Sequence, residues 1–356
     1  MKANAQASDR VDKFVKRYLR DHKIPGCAIM VRHKGKIMTK AYGKANLEYA
    51  VNVTPRTLFQ SASVGKQFTA MAVMLLVKKR KLSLDKPVSK YLKDDLKVPD
   101  AWSGITVRHL LTHTSGLGNY PKWLTYREDY DDKGLLDMIT MERLCYAPGE
   151  RFEYSNLGYV TLGILIGRVS GEFYGDFLKK RVFDLLGMKH TRVISDQDII
   201  PNRAAGYYFN DKNKLKNQEW VSPTFNRTAD GTLYFTVGDL AKWDEALESG
   251  KLLSKASYQQ MWTPFKLNDG TPTRYGFGWC IDNLDADHRE LWHDGGWQGF
   301  PFWYTVLALS EIDLKGARAE LKHASPALER AVRRVPAPTD HSRRRHELAR
   351  RVLETN

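Results

Sequence analysis

The sequence predicts an α/β (α+β) fold in which helices flank an antiparallel sheet built from both ends of the chain, with a mostly helical domain inserted between them. Two observations predict it. Short apolar stretches bounded by turn residues occur near the N-terminus, at residues 27–31 and 37–42, and return only late, at 276–281, 291–292 and 302–309. Between about 63 and 250, apolar residues recur instead at helical spacing. These breakpoints place a discontinuous sheet domain at 1–62 and 251–310, a helical domain at 63–250 and an Arg-rich tail at 311–356.

Val11, Phe14, Val15, Tyr18 and Leu19 share one helical face, which predicts an amphipathic helix over 9–22, ended by Pro25-Gly26. Residues 27–31 and 37–42, joined through His33-Lys34-Gly35-Lys36, read as a β-hairpin. Ser63-Val64-Gly65-Lys66 runs into the apolar helix former Ala70-Met71-Ala72-Val73-Met74-Leu75-Leu76-Val77, so a helix is expected to begin near Ser63. Pro87 suits a first helical turn but not an interior, and marks a stop and restart. Thr106 is a good N-cap for a short helix over 107–111, which the polar run His113-Thr114-Ser115-Gly116 ends. Further helices are expected over 133–146, stopped by Pro148-Gly149, and over 157–169 and 173–186. No internal repeat is visible.

With 356 residues, 42% apolar, and 17 Tyr, 14 Phe and 9 Trp, the chain has material for a large core and a globular composition. A net charge of +15 speaks to solubility and non-specific attraction to acidic surfaces, not to fold. There is no zinc-finger spacing and no aromatic-basic RNA-binding stretch, so no nucleic-acid partner is expected. Cys27, Cys145 and Cys280 are odd in number and far apart, which excludes a disulfide framework or a C-x-x-C pair. His346-Glu347 begins like a zinc-binding H-E-x-x-H, but Arg350 occupies the second ligand position. The N-terminus lacks the apolar core of a signal peptide and no run approaches membrane-spanning length. A cytoplasmic protein is expected if this N-terminus is native, and a periplasmic or secreted one if a signal has been removed.

Three stretches carry candidate chemistry. In Ser63-Val64-Gly65-Lys66 a hydroxyl and an ammonium three residues apart share a helix face. A serine is a weak nucleophile until a neighbour takes its proton, and a helix N-terminus favours developing negative charge. Tyr154-Ser155-Asn156 adds a phenol, a poor base at neutral pH unless a nearby cation such as Lys66 lowers its pKa, and an amide able to hold a substrate amide or ester. His293-Asp294-Gly295-Gly296-Trp297 offers glycines at a strand where a ligand can approach the backbone, and a backbone N–H for an oxyanion hole shared with Ser63. Each stretch alone also has an ordinary structural reading: a capped helix, a packed loop and a Gly-rich hairpin.

In order and spacing the three together resemble the serine β-lactamase and penicillin-binding-protein superfamily, nearest to class C β-lactamases, D-alanyl-D-alanine carboxypeptidases and family VIII carboxylesterases. Supporting stretches are His113-Thr114-Ser115-Gly116-Leu117, Tyr275-Gly276-Phe277-Gly278-Trp279 and Thr236-Val237-Gly238-Asp239-Leu240-Ala241-Lys242-Trp243, and the likeness covers roughly 9–300. The resemblance implies Ser63 as acylated nucleophile, Lys66 and Tyr154 sharing the proton work, and the N–H groups of Ser63 and Gly296 as oxyanion hole. It also implies Asn156, His293, Gly295 and Trp297 as substrate-binding residues, with His293 where class C enzymes place a lysine that meets the substrate carboxylate. Neither metal nor cofactor is implied. The substrate is expected to be a small ester, a D-amino-acid peptide or a β-lactam; oligomeric state stays open. An α/β-hydrolase elbow fits less well, because Ser61-Ala62-Ser63-Val64-Gly65 lacks the first glycine of G-x-S-x-G. The competing class is an idle binding protein, either a sensor that acylates and stalls or a scaffold that does not acylate.

Two departures stand out. His293 is mostly neutral at pH 7 and Asp294 adds a negative charge, which together favour esterase-like or peptidase-like members over a dedicated β-lactamase. Beyond 310 the expected next strand gives way to Arg-, Ala- and Pro-rich text, with 11 Lys+Arg of which nine are Arg. Such a tail is expected of a frameshift or fusion in the coding sequence, an idea that an intact reading frame and a matching protein mass would remove.

Overall fold

The computed structural model describes residues 2–33, 35–92, 98–283 and 288–309. The tail at 311–356, with its two helical candidates either side of Pro336-Ala337-Pro338, lies outside the described residues. The expected N-terminal helix is α1 (Lys2–Asp21), followed by the hairpin β1 (Gly26–His33) and β2 (Lys36–Asn46), paired from Gly26↔Gly43 to His33↔Lys36. Its turn uses Gly35 at φ +74°, a conformation that suits a residue without Cβ. A short β3 (Val51–Asn52) pairs with β2.

From β4 (Phe59–Gln60) the chain enters a 3₁₀ turn over Ala62–Gly65 and then α2 (Lys66–Lys78). The α-helix therefore begins after Ser63, not at it. Every residue of α2 from Lys66 to Leu76 is buried, as befits a helix enclosed by the core. Phe68 anchors it, with ring centroids 4.2 Å from Trp243, 5.0 Å from Phe235 and 5.7 Å from Phe183. Phe68→Ala is expected to cost about 3–5 kcal/mol in urea unfolding, a large part of the roughly 5–15 kcal/mol that holds a domain folded. A loss below about 1 kcal/mol would contradict this packing.

α3 (Val107–Leu111) is capped by Thr106, whose hydroxyl accepts the His109 N–H at 3.2 Å. α4 (Asp132–Met141) stops short of the expected 146, because the chain turns extended at Glu142 and the Cys145 N–H bonds the Gly116 carbonyl at 2.9 Å. α5 (Asn156–Ser170) matches its expectation. The helix expected over 173–186 is instead α6 (Tyr174–Leu178), one π-helical turn over Lys179–Phe183, and α7 (Asp184–Leu186), closed by Gly187 at φ +68°. Short strands β5 (Arg192–Val193), β6 (Tyr207–Phe209), β7 (Leu215–Asn217) and β8 (Leu233–Phe235) follow, with β8 between β4 and β5. Then come α8 (Val237–Ser249) and α9 (Lys255–Met261), and last β9 (Cys280–Asn283), β10 (His288–Trp297) and β11 (Phe300–Leu309).

The strand expected at 276–281 begins only at Cys280. Residues 276–279 form a turn in which the Gly276 N–H bonds the Trp279 carbonyl at 2.8 Å and Gly278 takes φ +77°. Gly278 backs onto the start of α2, where a Cβ would lie 2.8 Å from the Lys66 carbonyl oxygen. The two chain ends contribute antiparallel strands as predicted, but among the described residues these make two separate three-stranded sheets, β1-β2-β3 and β11-β10-β9. Helix α8 ties them together: Asp244 accepts from Arg32 of β1 at 2.9 Å and from the Tyr304 hydroxyl of β11 at 3.3 Å. Among the described residues no helix is long and apolar enough to cross a membrane.

Candidate active site

Ser63 sits in the 3₁₀ turn, which the chain enters through Ala62 at φ +45°. Two glycines let other segments close on this turn. A Cβ at Gly295 of β10 would lie 2.5 Å from the Ser63 nitrogen, and one at Gly231 would lie 2.9 Å from it and 2.3 Å from the Ala62 carbonyl oxygen. Gly231 is brought there by close packing behind it. Gly163 leaves α5 bare opposite Ala229, where a Cβ would come within 2.6 Å of the Ala229 Cβ, and the Thr69 hydroxyl donates to the Ala229 carbonyl at 2.6 Å. Ser61 Oγ donates to the Gly231 carbonyl at 3.1 Å.

Lys66, the first residue of α2, is fully buried. Its Nζ donates to Ser63 Oγ at 3.2 Å, to Asn156 Oδ1 at 2.8 Å and to the Asp230 backbone carbonyl. Three oxygens match the three N–H donors of an ammonium group. The same Nζ lies 4.9 Å from the Tyr154 ring centroid and 5.4 Å from that of Tyr159, within reach of cation–π attraction.

Asn156 opens α5, and Ser155 caps it: Ser155 Oγ accepts the Gly158 N–H at 3.0 Å and donates to the Gly118 carbonyl at 2.6 Å. Tyr154 lies just before the cap. His113 holds that segment on both sides of the tyrosine. The Ser155 N–H donates to His113 Nδ1 at 3.1 Å, the Glu153 N–H donates to the His113 carbonyl at 2.9 Å, and the imidazole packs 4.2 Å from the Tyr154 ring. Burial, followed by the nearby Lys66 charge, holds His113 well below the usual histidine range, so the ring is neutral. Because Nδ1 accepts, the proton is on Nε2.

The Tyr154 hydroxyl is buried and makes no hydrogen bond of good geometry. Burial pushes its pKa well above the ordinary tyrosine value; the closeness of the Ser63 hydroxyl pulls the other way with less effect, and the Asp294 charge adds to the push. Any lowering by Lys66 is thus outweighed by burial, and the group is protonated at neutral pH.

His293 is a correction to its expected role. It is 1% exposed, its Nε2 is 2.8 Å from the Tyr275 hydroxyl and its Nδ1 is 2.6 Å from the Asp294 carbonyl. A carbonyl can only accept, so Nδ1 carries the proton and Nε2 accepts from Tyr275. Both nitrogens are engaged inside the protein, and His293 is not presented to a substrate carboxylate. Further along β10, Gly296 pairs with Pro301, and Trp297 meets Tyr126 edge-on at 5.3 Å. Tyr126 lies 5.6 Å from Tyr120 and 5.1 Å from Phe225, which makes an aromatic corner beside the Ser63 turn. Among the described residues there is no group of three or more His, Cys, Asp or Glu able to hold a metal ion.

The family model described as Beta-lactamase matches residues 11–309. The chain belongs to the Beta-lactamase family. Penicillin-binding protein 4* of Bacillus subtilis (strain 168) is 31% identical over 308 residues, 82% of this chain and 66% of that protein. The chain spans about two thirds or less of the length of the curated relatives it matches. The octameric penicillin-binding protein homologue from Pyrococcus abyssi superposes with a TM-score of 0.73 at 26% identity, covering 92% of this chain and 79% of that one. A D-stereospecific amidohydrolase from Streptomyces sp. superposes with a TM-score of 0.67 at 25% identity, covering 79% of this chain and 85% of that one. The mixed α/β architecture with antiparallel sheets is that of these Beta-lactamase family structures.

Of the residues expected from sequence, Ser63, Lys66, Tyr154, Asn156, Gly295, Gly296 and Trp297 converge around one turn of this Beta-lactamase family fold, and the buried His293 lies behind them, bonded to Tyr275 with its ring 6.1 Å from that of Tyr154. Sequence reasoning missed three contributors. Asp230 and Gly231 act through main chain and lack of a side chain, which leave little sequence signal. His113 stood in a stretch singled out for its likeness, with no role attached.

Proposed function

We propose that this Beta-lactamase family member is a serine hydrolase that forms an acyl-Ser63 intermediate on a small ester or a D-amino-acid amide. The observation that carries the reading is the 3.2 Å contact between Ser63 Oγ and a fully buried Lys66 Nζ that is itself fixed by Asn156 and Asp230. A buried ammonium held at a half-exposed serine has a structural cost, and activation of that serine accounts for it. Ser63 Oγ attacks the substrate carbonyl carbon while its proton passes into the coupled Lys66–Tyr154 pair. The Ser63 and Gly296 N–H groups donate hydrogen bonds to the developing oxyanion. Collapse breaks the bond to the leaving group, which takes a proton from Tyr154. Water then adds to the acyl-serine by the reverse proton route and releases the acid. With Oδ1 bound to Lys66, Asn156 has its amide nitrogen to offer a substrate carbonyl.

The pair holds its protons at rest, so it must lose one before it can take the proton of Ser63. Tyr154 is raised above its ordinary value of about 10, and the competent fraction grows with rising pH. The expected kcat/KM for p-nitrophenyl butyrate therefore climbs from about pH 7 to 9.5 without a plateau, and Tyr154→Phe flattens the climb. A plateau reached below about pH 7 would contradict this.

Penicillins and cephalosporins carry a carboxylate beside the reacting ring. With His293 committed to Tyr275 and Asp294 adding negative charge on the same strand, a chromogenic cephalosporin is expected to turn over at least about a hundredfold more slowly than the butyrate ester. Comparable rates on the two would move the reading to a β-lactamase.

A further inference from the structure

We infer that Asp230 anchors a positively charged amine on the acyl side of the substrate, so that the site selects aminoacyl amides and esters with a free ammonium over neutral or N-acylated ones. The inference rests on the acyl-Ser63 reading and names its substrate class. Asp230 Oδ2 accepts from the Tyr120 hydroxyl at 3.2 Å, whereas Oδ1 is buried and has no hydrogen-bond partner. Native proteins seldom leave a carboxylate oxygen withdrawn from water without a donor, since such a group keeps its full desolvation penalty. Among the described residues no Lys or Arg forms an ion pair with Asp230. The missing partner is therefore a donor that arrives from outside, and a cation fits best.

The position of Asp230 ties it to the reacting serine. Its own carbonyl accepts from Lys66 Nζ, which contacts Ser63 Oγ, and the next residue, Gly231, abuts the Ser63 nitrogen. The carboxylate faces the aromatic corner: after burial, its charge is the largest influence pushing the phenols of Tyr120 and Tyr126 up. Tyr120, Tyr126 and Trp297 are each half-buried, so the corner is in part accessible to solvent. A carboxylate beside aromatic rings can hold an ammonium group through its charge and the ring faces together. The Asp230 carboxylate also offsets the repulsion that an ammonium bound there would meet from Lys66.

The test compares kcat/KM for D-alanine p-nitroanilide and its N-acetyl derivative, in the wild type, Asp230→Asn and Asp230→Glu. One charge-assisted hydrogen bond corresponds to about 10–100-fold, so the wild type is expected to prefer the free amine by that ratio. Asp230→Asn, which keeps the shape and an acceptor for Tyr120, should bring the ratio to about one, and Asp230→Glu should restore part of it. A wild-type ratio near one, or a ratio that survives Asp230→Asn, overturns the inference. p-Nitrophenyl butyrate separates the two levels. If that neutral ester turns over through Ser63 while the anilide ratio is one, only the ammonium site is wrong. If it neither turns over nor labels Ser63, both readings fall.

Discussion

Ser63→Ala is expected to lower kcat for p-nitrophenyl butyrate by about 10⁴–10⁶-fold, to the level that binding and the oxyanion donors alone sustain. The stability of the fold should hardly change. Ser63 is half-buried, and Lys66 keeps Asn156 and the Asp230 carbonyl when the hydroxyl is gone. The variant thus separates chemistry from folding: activity disappears and the urea midpoint stays. A residual rate within about tenfold of wild type would show that another group, or none, attacks the ester.

Gly295→Ala should come second in size although it removes no functional group. Its Cβ would lie 2.5 Å from the Ser63 nitrogen and 2.8 Å from the Ala62 Cβ, both on the turn that carries Ser63. Neither neighbour is a flexible side-chain end, so strand and turn must part by a good fraction of an ångström. That displaces the Ser63 N–H and Oγ relative to the Gly296 N–H, and loss of an oxyanion donor costs about 10²–10³-fold. The expected result is a fall of at least about a hundredfold in kcat, with KM affected less. Gly238→Ala is the control. It lies in α8 with its nearest neighbour, Thr236 Oγ1, at 3.8 Å, and a helical Gly→Ala change there should leave activity intact and add about 0.5–1 kcal/mol of stability. If Gly295→Ala keeps wild-type kcat, the glycine is not what sets the two donors.

The helices and the first hairpin were legible because their apolar residues follow one face and their caps are local: Thr106 and Ser155 each satisfy an N–H three residues on. The spacing of Ser63 and Lys66 was legible too, although Ser63 lies in a 3₁₀ turn before the helix and not on its face. Long-range backbone encounters were less so. Gly278 reads as part of a strand because Phe277 and Trp279 are apolar; in the fold it takes a positive φ and lies against the Lys66 carbonyl, far away in sequence. His293 was placed by motif position, but its orientation depends on Tyr275, which the motif does not mention. Asp230 holds Lys66 through a carbonyl that any residue would supply. The protonation of Tyr154 is illegible for the same reason, since it follows from burial by distant segments, which outweighs the one cation visible in the sequence.

Acyl transfer through Ser63 can be read by mass spectrometry of the intact protein and its peptides after brief exposure to a fluorophosphonate or a slow p-nitrophenyl ester. One added group per chain is expected, on the peptide carrying Ser63, and none in Ser63→Ala. Ester turnover with no adduct at Ser63, or with the adduct on another residue, would contradict it.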